Sequence, residues 1–504
     1  MTPTLWARSV LALCRVSSVK LLIKVLPQAY ACPYCRIGVF FILVSQAETS
    51  RRDRKEIKQM TNEQNTLVKK RDGFSSKIGF IIACIGSAVG MGNIWMFPYR
   101  VGQFGGAAFL VPYFIFVALL GVTGIVGEIT LGRSMKTGPL GAFGKAMKRR
   151  GLKGGEAIGM IPVIGSLATA IGYTVVMAWI IKFFVGSITG SAMRAKDSGA
   201  YFGELATDFG AVPWHIIVVL VTFCLMVFGI AKGIEKVNKF MMPAFFILFV
   251  IIAIRVAFLP GAGAGYTYLL KPEWSALADP MTWAYALGQA FFSLSLAGSG
   301  TVVYGSYISE KEDIVSSAKY IAVFDTLAAM VAALVIIPAV FAFGMDPMAG
   351  PPLMFITMPS IFKLMPLGQL IAIIFFLAVM FAGFTSLVNL YETPIEAIEE
   401  KFGISRKTAV GIILGIGLIV GLFIENGDVV SAWMDVVSIY IVPLGALLAA
   451  VMVYWVCGKG YAREHAQIGR VKPIGGWFEP VAKYVFCGVT VAVYILGIVY
   501  GGIG

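Results

Sequence analysis

"GSAVGMGNIWMFPYR", residues 86–100, decides the fold. Glycines at 86, 90 and 92, Asn93 and Pro98 follow an apolar run, Ile78 to Cys84, that suits a bilayer. Irregular backbone at membrane depth survives only where protein or a watery cavity satisfies its polar groups. The stretch therefore reads in one of two ways. It is a helix broken around a binding site, or it is a seam of small residues packed closely on a neighbouring helix.

The rest of the chain supports a membrane setting. Of 504 residues, 58% are hydrophobic and 13% charged, too few polar side chains to cover a soluble globule. Apolar stretches of about 20 residues recur, the length that crosses the hydrocarbon core. They predict an all-α polytopic membrane protein with eleven transmembrane helices, and the alternation of a β-barrel is missing. The helices are expected near 77–99, 105–131, 158–190, 213–231, 238–259, 281–307, 315–344, 366–398, 407–424, 429–456 and 480–501. Between helices 7 and 8, "DPMAGPPLMFITMPSIF" is too proline-rich to span and reads as an ordered outer loop.

Cations in the short loops set the orientation. Arg133, Lys136, Lys145, Lys148, Arg149, Arg150 and Lys153 follow helix 2, and Lys232, Lys236 and Lys239 follow helix 4. Lys401, Arg406 and Lys407 follow helix 8, and Lys459, Arg463, Arg470 and Lys472 follow helix 10. The alternate loops are nearly bare of cations or balanced by acids. The N-terminus is thus expected in the cytoplasm of an inner (plasma) membrane protein and the C-terminus outside. The net charge of +14 reads as topology and contact with the lipid bilayer, not with nucleic acid.

Residues 1–59 fit this pattern poorly. Arg8, Arg15, Lys20, Lys24 and Arg36 interrupt their apolar runs, so they make a poor signal peptide. The expectation is an upstream extension with Met60 as the true start. "CPYC" at 32–35 has a dithiol spacing but no surrounding βαβ unit. Cys84, Cys224, Cys457 and Cys487 lie in apolar segments and read as packing residues.

A second interruption favours the binding-site reading of residues 86–100. Helix 6, "ALGQAFFSLSLAGSGTVVYGSY" at 286–307, carries Ser293, Ser295, Gly298, Ser299 and Gly300 in mid-span. Paired broken helices in two halves of a chain point to a secondary transporter site, a rule whose own example is the family named next. The order and spacing of "GSAVGMGNIW…FPY", "GGAAFLVPY", "YTVVMAW", "GQAFFSLSL" and "AGFTS" resemble bacterial members of the neurotransmitter:sodium symporter family over residues 71–456.

That resemblance implies an inverted five-helix repeat. A cytoplasmic segment, 1–70, would precede repeats 71–270 and 271–456, and 457–504 would hold a loop and helix 11. It implies sodium-coupled import of an amino acid by alternating access. One sodium site would use Ala88, Asn93, Ser293 and Asp325, completed by the substrate carboxylate. The other would use Gly86, Val89, Ala382, Thr385 and Ser386. Met91, Gly92 and Tyr173 would hold the substrate carboxylate, and carbonyls of Ala88, Phe292 and Ser293 its ammonium. Phe292 would cover the pocket with Tyr173, and Thr169, Ser295, Gly298, Ser386 and Leu390 would shape the side-chain subsite. Leucine-type pockets carry phenylalanine where this chain has Gly298, so a large apolar or aromatic substrate is expected.

Two acids stand out on their own. Asp325 is a lone carboxylate inside "YIAVFDTLAAMVAALVIIPAVF", a functional candidate by cost alone. Many relatives have Asn there, and chloride-dependent ones a Ser one turn later, where this chain has Ala329. The fixed charge of Asp325 is therefore expected to remove any need for chloride. Glu128 is a second buried acid, expected to bond unwound backbone. At the cytoplasmic gate Arg71 would pair with Glu400 or Glu399, beside Ser306 and Tyr307. At the outer gate Gln289 and Asp435 are present, but Met96 replaces the usual Arg, and Arg100 lies one turn on. Two rival readings stand beside this one: a proton-coupled carrier of the same fold, and a membrane redox enzyme using "CPYC". An enzyme needs a catalytic cluster, yet the chain has only His215 and His465 and no metal spacing.

Overall fold

A computed structural model describes residues 73–346 and 353–502. The N-terminal extension, "CPYC" and Arg71 lie outside the described residues. Within them the fold is helical, with no strand. Helix 1 has two halves, Lys77–Ala88 and Gly92–Gln103, bent by 52°. Helices 2 and 3 span Ala107–Met135 and Gly155–Thr189, and helix 5 spans Ile230–Ala257. Helix 4, Val212–Met226, is shorter. Helix 6 is broken into Pro280–Ser293 and Gly300–Ser306. Helices 7 and 8 span Ile314–Ala342 and Gly368–Phe402. Helix 9 is Arg406–Leu422, helix 10 Gly427–Val456 and helix 11 Phe478–Tyr500. Seven of these are long and apolar enough to cross a membrane, and the two halves of helix 1 qualify together.

One boundary moves. The lysines 232, 236 and 239, expected in a loop after helix 4, belong to helix 5. The turn comes earlier, at Gly229, whose φ of 82° suits glycine. Lys239 then folds back by one helical turn onto Glu235, at 2.6 Å. Glu235 also takes hydrogen bonds from Ser75 N (2.6 Å) and from the Ser75 and Ser76 hydroxyls (2.7 and 2.9 Å). Those bonds fix the start of helix 1, whose first turn Ser76 caps at Gly79 N. The described part of the proline-rich segment, Leu353–Leu364, is a short apolar helix with Leu353, Met354 and Phe355 buried.

Helix 3 is almost wholly enclosed, whereas helix 5 faces outward along most of its length. The first half of helix 1 packs against helices 5, 7 and 8, and helix 2 lies along both halves of helix 6. Small residues permit the closest approaches. A Cβ at Gly132 would lie 1.9 Å from the Val302 carbonyl oxygen, so helix 2 touches the backbone of helix 6 there.

Gly298 needs a correction. It was expected to widen the side-chain subsite, but it points elsewhere. Its φ is 65°, its N–H donates to Glu128 Oε1 at 2.8 Å, and a Cβ would lie 2.3 Å from the Gly445 carbonyl oxygen. Glycine is required here by backbone conformation and by the approach of helix 10. Gly298→Ala is expected to destabilise the protein by about 1–3 kcal/mol, the usual cost of overpacking, read as a lowered melting temperature in detergent. A variant as stable as the parent but with altered ligand preference would return this residue to the cavity wall.

Candidate functional site

The break in helix 1 frees backbone groups, and side chains answer them. Val89 has ψ of 109°, which ends the first half-helix. The Gly90 N–H donates to Asn93 Oδ1 (2.9 Å) and the Met91 N–H to Tyr173 Oη (2.7 Å). The carbonyls of Gly86 and Val89 accept from Ser386 Oγ (3.2 and 3.0 Å). Ser87 O accepts from Ser295 Oγ (3.0 Å), and Gly92 O from Gln289 Nε2 (2.9 Å). Ser295 sits at φ 52°, unusual for a residue with a side chain, in the unwound part of helix 6. Gly90 has no room for more. A Cβ there would lie 2.5 Å from Tyr173 Oη and 2.6 Å from Ser386 Oγ.

Two oxygen-rich clusters flank the break. In the first, the Asp325 carboxylate is fully buried. Oδ1 accepts from Asn93 Nδ2 (2.7 Å) and Oδ2 from Ser293 Oγ (2.8 Å). Asn93 Nδ2 also lies 3.1 Å from Ser293 Oγ. Both donors are neutral, and no cationic side chain pairs with Asp325 among the described residues. In the second cluster Ser386 bonds the carbonyls of Gly86 and Val89 as above. Thr385 Oγ1 donates to Ala382 O at 2.9 Å, and a Cβ on Gly86 would come 3.0 Å from Thr385 Cβ.

Between the clusters lies a cavity of about 70 Å³. Ala88, Met91, Gly92, Thr169, Tyr173, Phe292, Ser293, Ser295, Ser386 and Leu390, all expected there, line it. Polar lining residues that were missed include Ser166, Ser299 and Asn389. Ser166 stands three before Thr169, and Asn389 three after Ser386, so helical spacing from known members would have found both. Ser166 Oγ donates to Leu390 O at 2.8 Å, tying helix 3 to helix 8.

Met91, Tyr173 and Phe292 also line a vestibule of about 600 Å³ on the opposite side from the start of helix 1. Its walls are aromatic, with Trp95, Trp179, Phe202 and Phe355, and it contains Met96, Arg100 and Asp435. Arg100 is not paired with Asp435. Its guanidinium stacks on Tyr99 (4.7 Å) and Tyr285 (4.2 Å) instead. Gln289, expected at this gate, is fully buried and spends its amide on Gly92.

The other face carries the expected gate residues Tyr307, Glu399, Glu400 and Ser306, together with a Glu392–Arg406 pair that the sequence reading did not single out and that joins Tyr307 to Glu399. Glu392, fully buried on helix 8, accepts from Tyr307 Oη (2.8 Å) and from Arg406 Nη1 and Nη2 (2.8 and 2.5 Å). Glu399 lies 3.2 Å from the same guanidinium. Glu400 accepts from Thr137 Oγ1, and Glu396 from Gly138 N at 2.8 Å. Ser306 Oγ turns back to Val303 O at 2.6 Å. The cavity and the vestibule thus share Met91, Tyr173 and Phe292 as a common wall, and the Glu392–Arg406 network lies toward helix 9.

Comparison with known proteins agrees with this architecture. An uncharacterized sodium-dependent transporter of Haemophilus influenzae is 32% identical over 73% of this chain and 82% of its own. One of Methanocaldococcus jannaschii is 31% identical over 85% and 90%. The solved structure of MhsT in complex with L-phenylalanine superposes with a TM-score of 0.76 at 31% identity, covering 84% of this chain and 99% of that one. Residues 71–196 and 201–500 match the sodium:neurotransmitter symporter family, and the chain, a multi-pass membrane protein, belongs to that family.

Proposed function

We propose that this chain is a sodium-coupled symporter that imports an amino acid by alternating access. One observation carries the reading: Asp325 is a fully buried carboxylate bonded only by neutral donors. A buried charge is tolerable only when paired. A sodium ion among Ala88 O, Asn93, Ser293 and Asp325 supplies that charge, and a substrate carboxylate completes the shell. The second ion is held by the carbonyls of Gly86, Val89 and Ala382 with the Thr385 and Ser386 hydroxyls. Tyr173 and the N–H groups of Met91 and Gly92 orient the substrate carboxylate, and Phe292 and Tyr173 close over it from the vestibule. In this reading the two repeats are 71–270 and 271–456, and the N-terminus and the Glu392–Arg406 network face the cytoplasm.

The substrate class proposed is large apolar or aromatic. Leu296, Leu390, Ile441 and Val442 give the cavity an apolar wall. The phenylalanine in the MhsT structure and the name of a mouse relative, a sodium-dependent neutral amino acid transporter, 30% identical over 53% of this chain and 47% of its own, lend support. A side chain burying roughly 80 Å² more apolar surface than alanine gains about 2 kcal/mol. Leucine, phenylalanine or tryptophan should therefore compete for uptake far better than glycine or alanine. The reverse order would overturn this substrate class.

The same buried carboxyl could instead carry a proton, and ion replacement separates the two readings. With choline in place of sodium at constant pH, uptake into proteoliposomes is expected to vanish. Uptake that persists and follows the proton gradient would favour a proton-coupled carrier. Asp325→Asn tests the charge. It is expected to weaken sodium dependence or to create a chloride requirement. Unchanged sodium affinity without chloride would remove the balancing role from Asp325.

A further inference from the structure

Asn238, on helix 5, is fully buried and belongs to neither ion cluster above. Its Nδ2 donates to Ile234 O at 2.8 Å, whereas its Oδ1 has no hydrogen-bond partner. The assignment of the two atoms follows from chemistry. The Ile234 carbonyl can only accept, so the atom facing it is the NH₂ and the free atom is the oxygen.

That oxygen has a definite target. A Cβ built on Gly86 would lie 1.9 Å from Asn238 Oδ1 and 3.0 Å from Thr385 Cβ. Asn238 Oδ1 thus abuts helix 1 beside two residues of the second sodium cluster. Gly79 meets helix 5 in the same way, its Cβ falling 1.9 Å from Glu235 Oε1. Gly79 and Gly86 are two helical turns apart, and Glu235 and Asn238 are three residues apart, so each pair shares a face. Two oxygen-bearing side chains of helix 5 therefore run along a glycine-floored seam of helix 1. Glu235 is engaged by Ser75, Ser76 and Lys239. Asn238 Oδ1 is not engaged. An asparagine serving only as interhelical glue would direct its oxygen to a donor on the neighbouring helix. This one faces a Cα with no N–H or O–H to offer, one step from backbone carbonyls and hydroxyls suited to a cation.

We propose that Asn238 Oδ1 is a further sodium ligand, receiving the ion as it leaves the second sodium site along the helix 1–helix 5 seam toward Glu235. The proposal rests on the symport reading above. It lengthens the chain of oxygens by one step, so that the ion exchanges ligands one at a time and does not shed its shell at once.

Reconstituted protein tests it, using the amino acid that gives the largest sodium-dependent thermal shift among the twenty. Net uptake into sodium-free vesicles requires sodium to leave on the inside. Exchange of labelled for unlabelled amino acid, with saturating sodium on both sides, does not. Asn238→Ala is expected to slow net uptake by about fivefold or more while exchange stays within about twofold of the parent. Asn238→Asp, which keeps an oxygen, is expected to recover most of the net rate. Should the alanine variant fail to fold, size-matched Asn238→Leu takes its place. Net uptake and exchange falling in parallel would make Asn238 a packing residue, and two unchanged rates would mean that sodium does not visit it. A parent protein with no sodium-dependent uptake would instead sink the symport reading, before any variant is compared.

Discussion

The whole arrangement depends on a helix that stops hydrogen-bonding to itself between Ala88 and Gly92. Lipid offers no partners for the groups this frees, so other helices must supply them. Asn93 answers from within the break, Tyr173 from helix 3, Ser295 and Gln289 from helix 6, and Ser386 from helix 8. Each bond also fixes the position of the donating helix. The break is thus the point around which three other helices are registered, and this explains why the surrounding glycines tolerate no side chain.

The buried acids divide by the partners they keep. Glu392 has a guanidinium in bidentate contact, a geometry that offsets much of the cost of burial. Glu128 accepts the backbone N–H of Gly298, with its second oxygen left without a partner, and so holds the unwound part of helix 6. Asp325 has an amide and a hydroxyl, neither of which carries charge. Glu392 holds a guanidinium and Glu128 shapes a backbone. Among the described residues Asp325, like Glu128, has no cationic partner, but its neutral donors Asn93 and Ser293 bring further oxygens to the same centre, which is why it argues for a cation.

Hydropathy alone located the eleven segments, because lipid imposes length and composition directly. The two breaks were legible from clustered glycine and serine. The start of helix 5 was not, because Lys232, Lys236 and Lys239 look like a cytoplasmic loop unless Glu235 is known to bind the start of helix 1. Gly298 was misplaced for a related reason. Unwound backbone has no periodicity, so position in the sequence does not tell which way a residue points. Gln289 was assigned to a gate by family position, yet here its amide serves the break. Asn238 carried no signal at all, since one amide in an apolar helix gains meaning only when its partner, or the lack of one, is seen.

The second cluster shows what sodium binding must do in physical terms. In the structure the Ser386 hydroxyl donates to the carbonyls of Gly86 and Val89, two of the proposed ligands. Those oxygens are already satisfied, so an ion entering between them does not rescue stranded groups. At the proposed site it would displace a shared hydroxyl proton, turn the Ser386 oxygen from donor toward ligand, and draw two carbonyls onto one centre. Such an exchange yields only the difference between two satisfied states, which is modest for hydrogen bonds in general. Weak net binding suits a transported ion, since a site that held sodium too tightly would not release it. It would also link ion to conformation: Ser386 sits on helix 8, and the carbonyls at the end of the first half of helix 1, so a bound ion would bridge two elements that the hydroxyl alone joins by one bifurcated bond. Where the hydroxyl merely touches, an ion at the proposed site would clamp. Its departure would loosen the first half of helix 1 from helix 8, the relative freedom that an opening toward helix 5 needs.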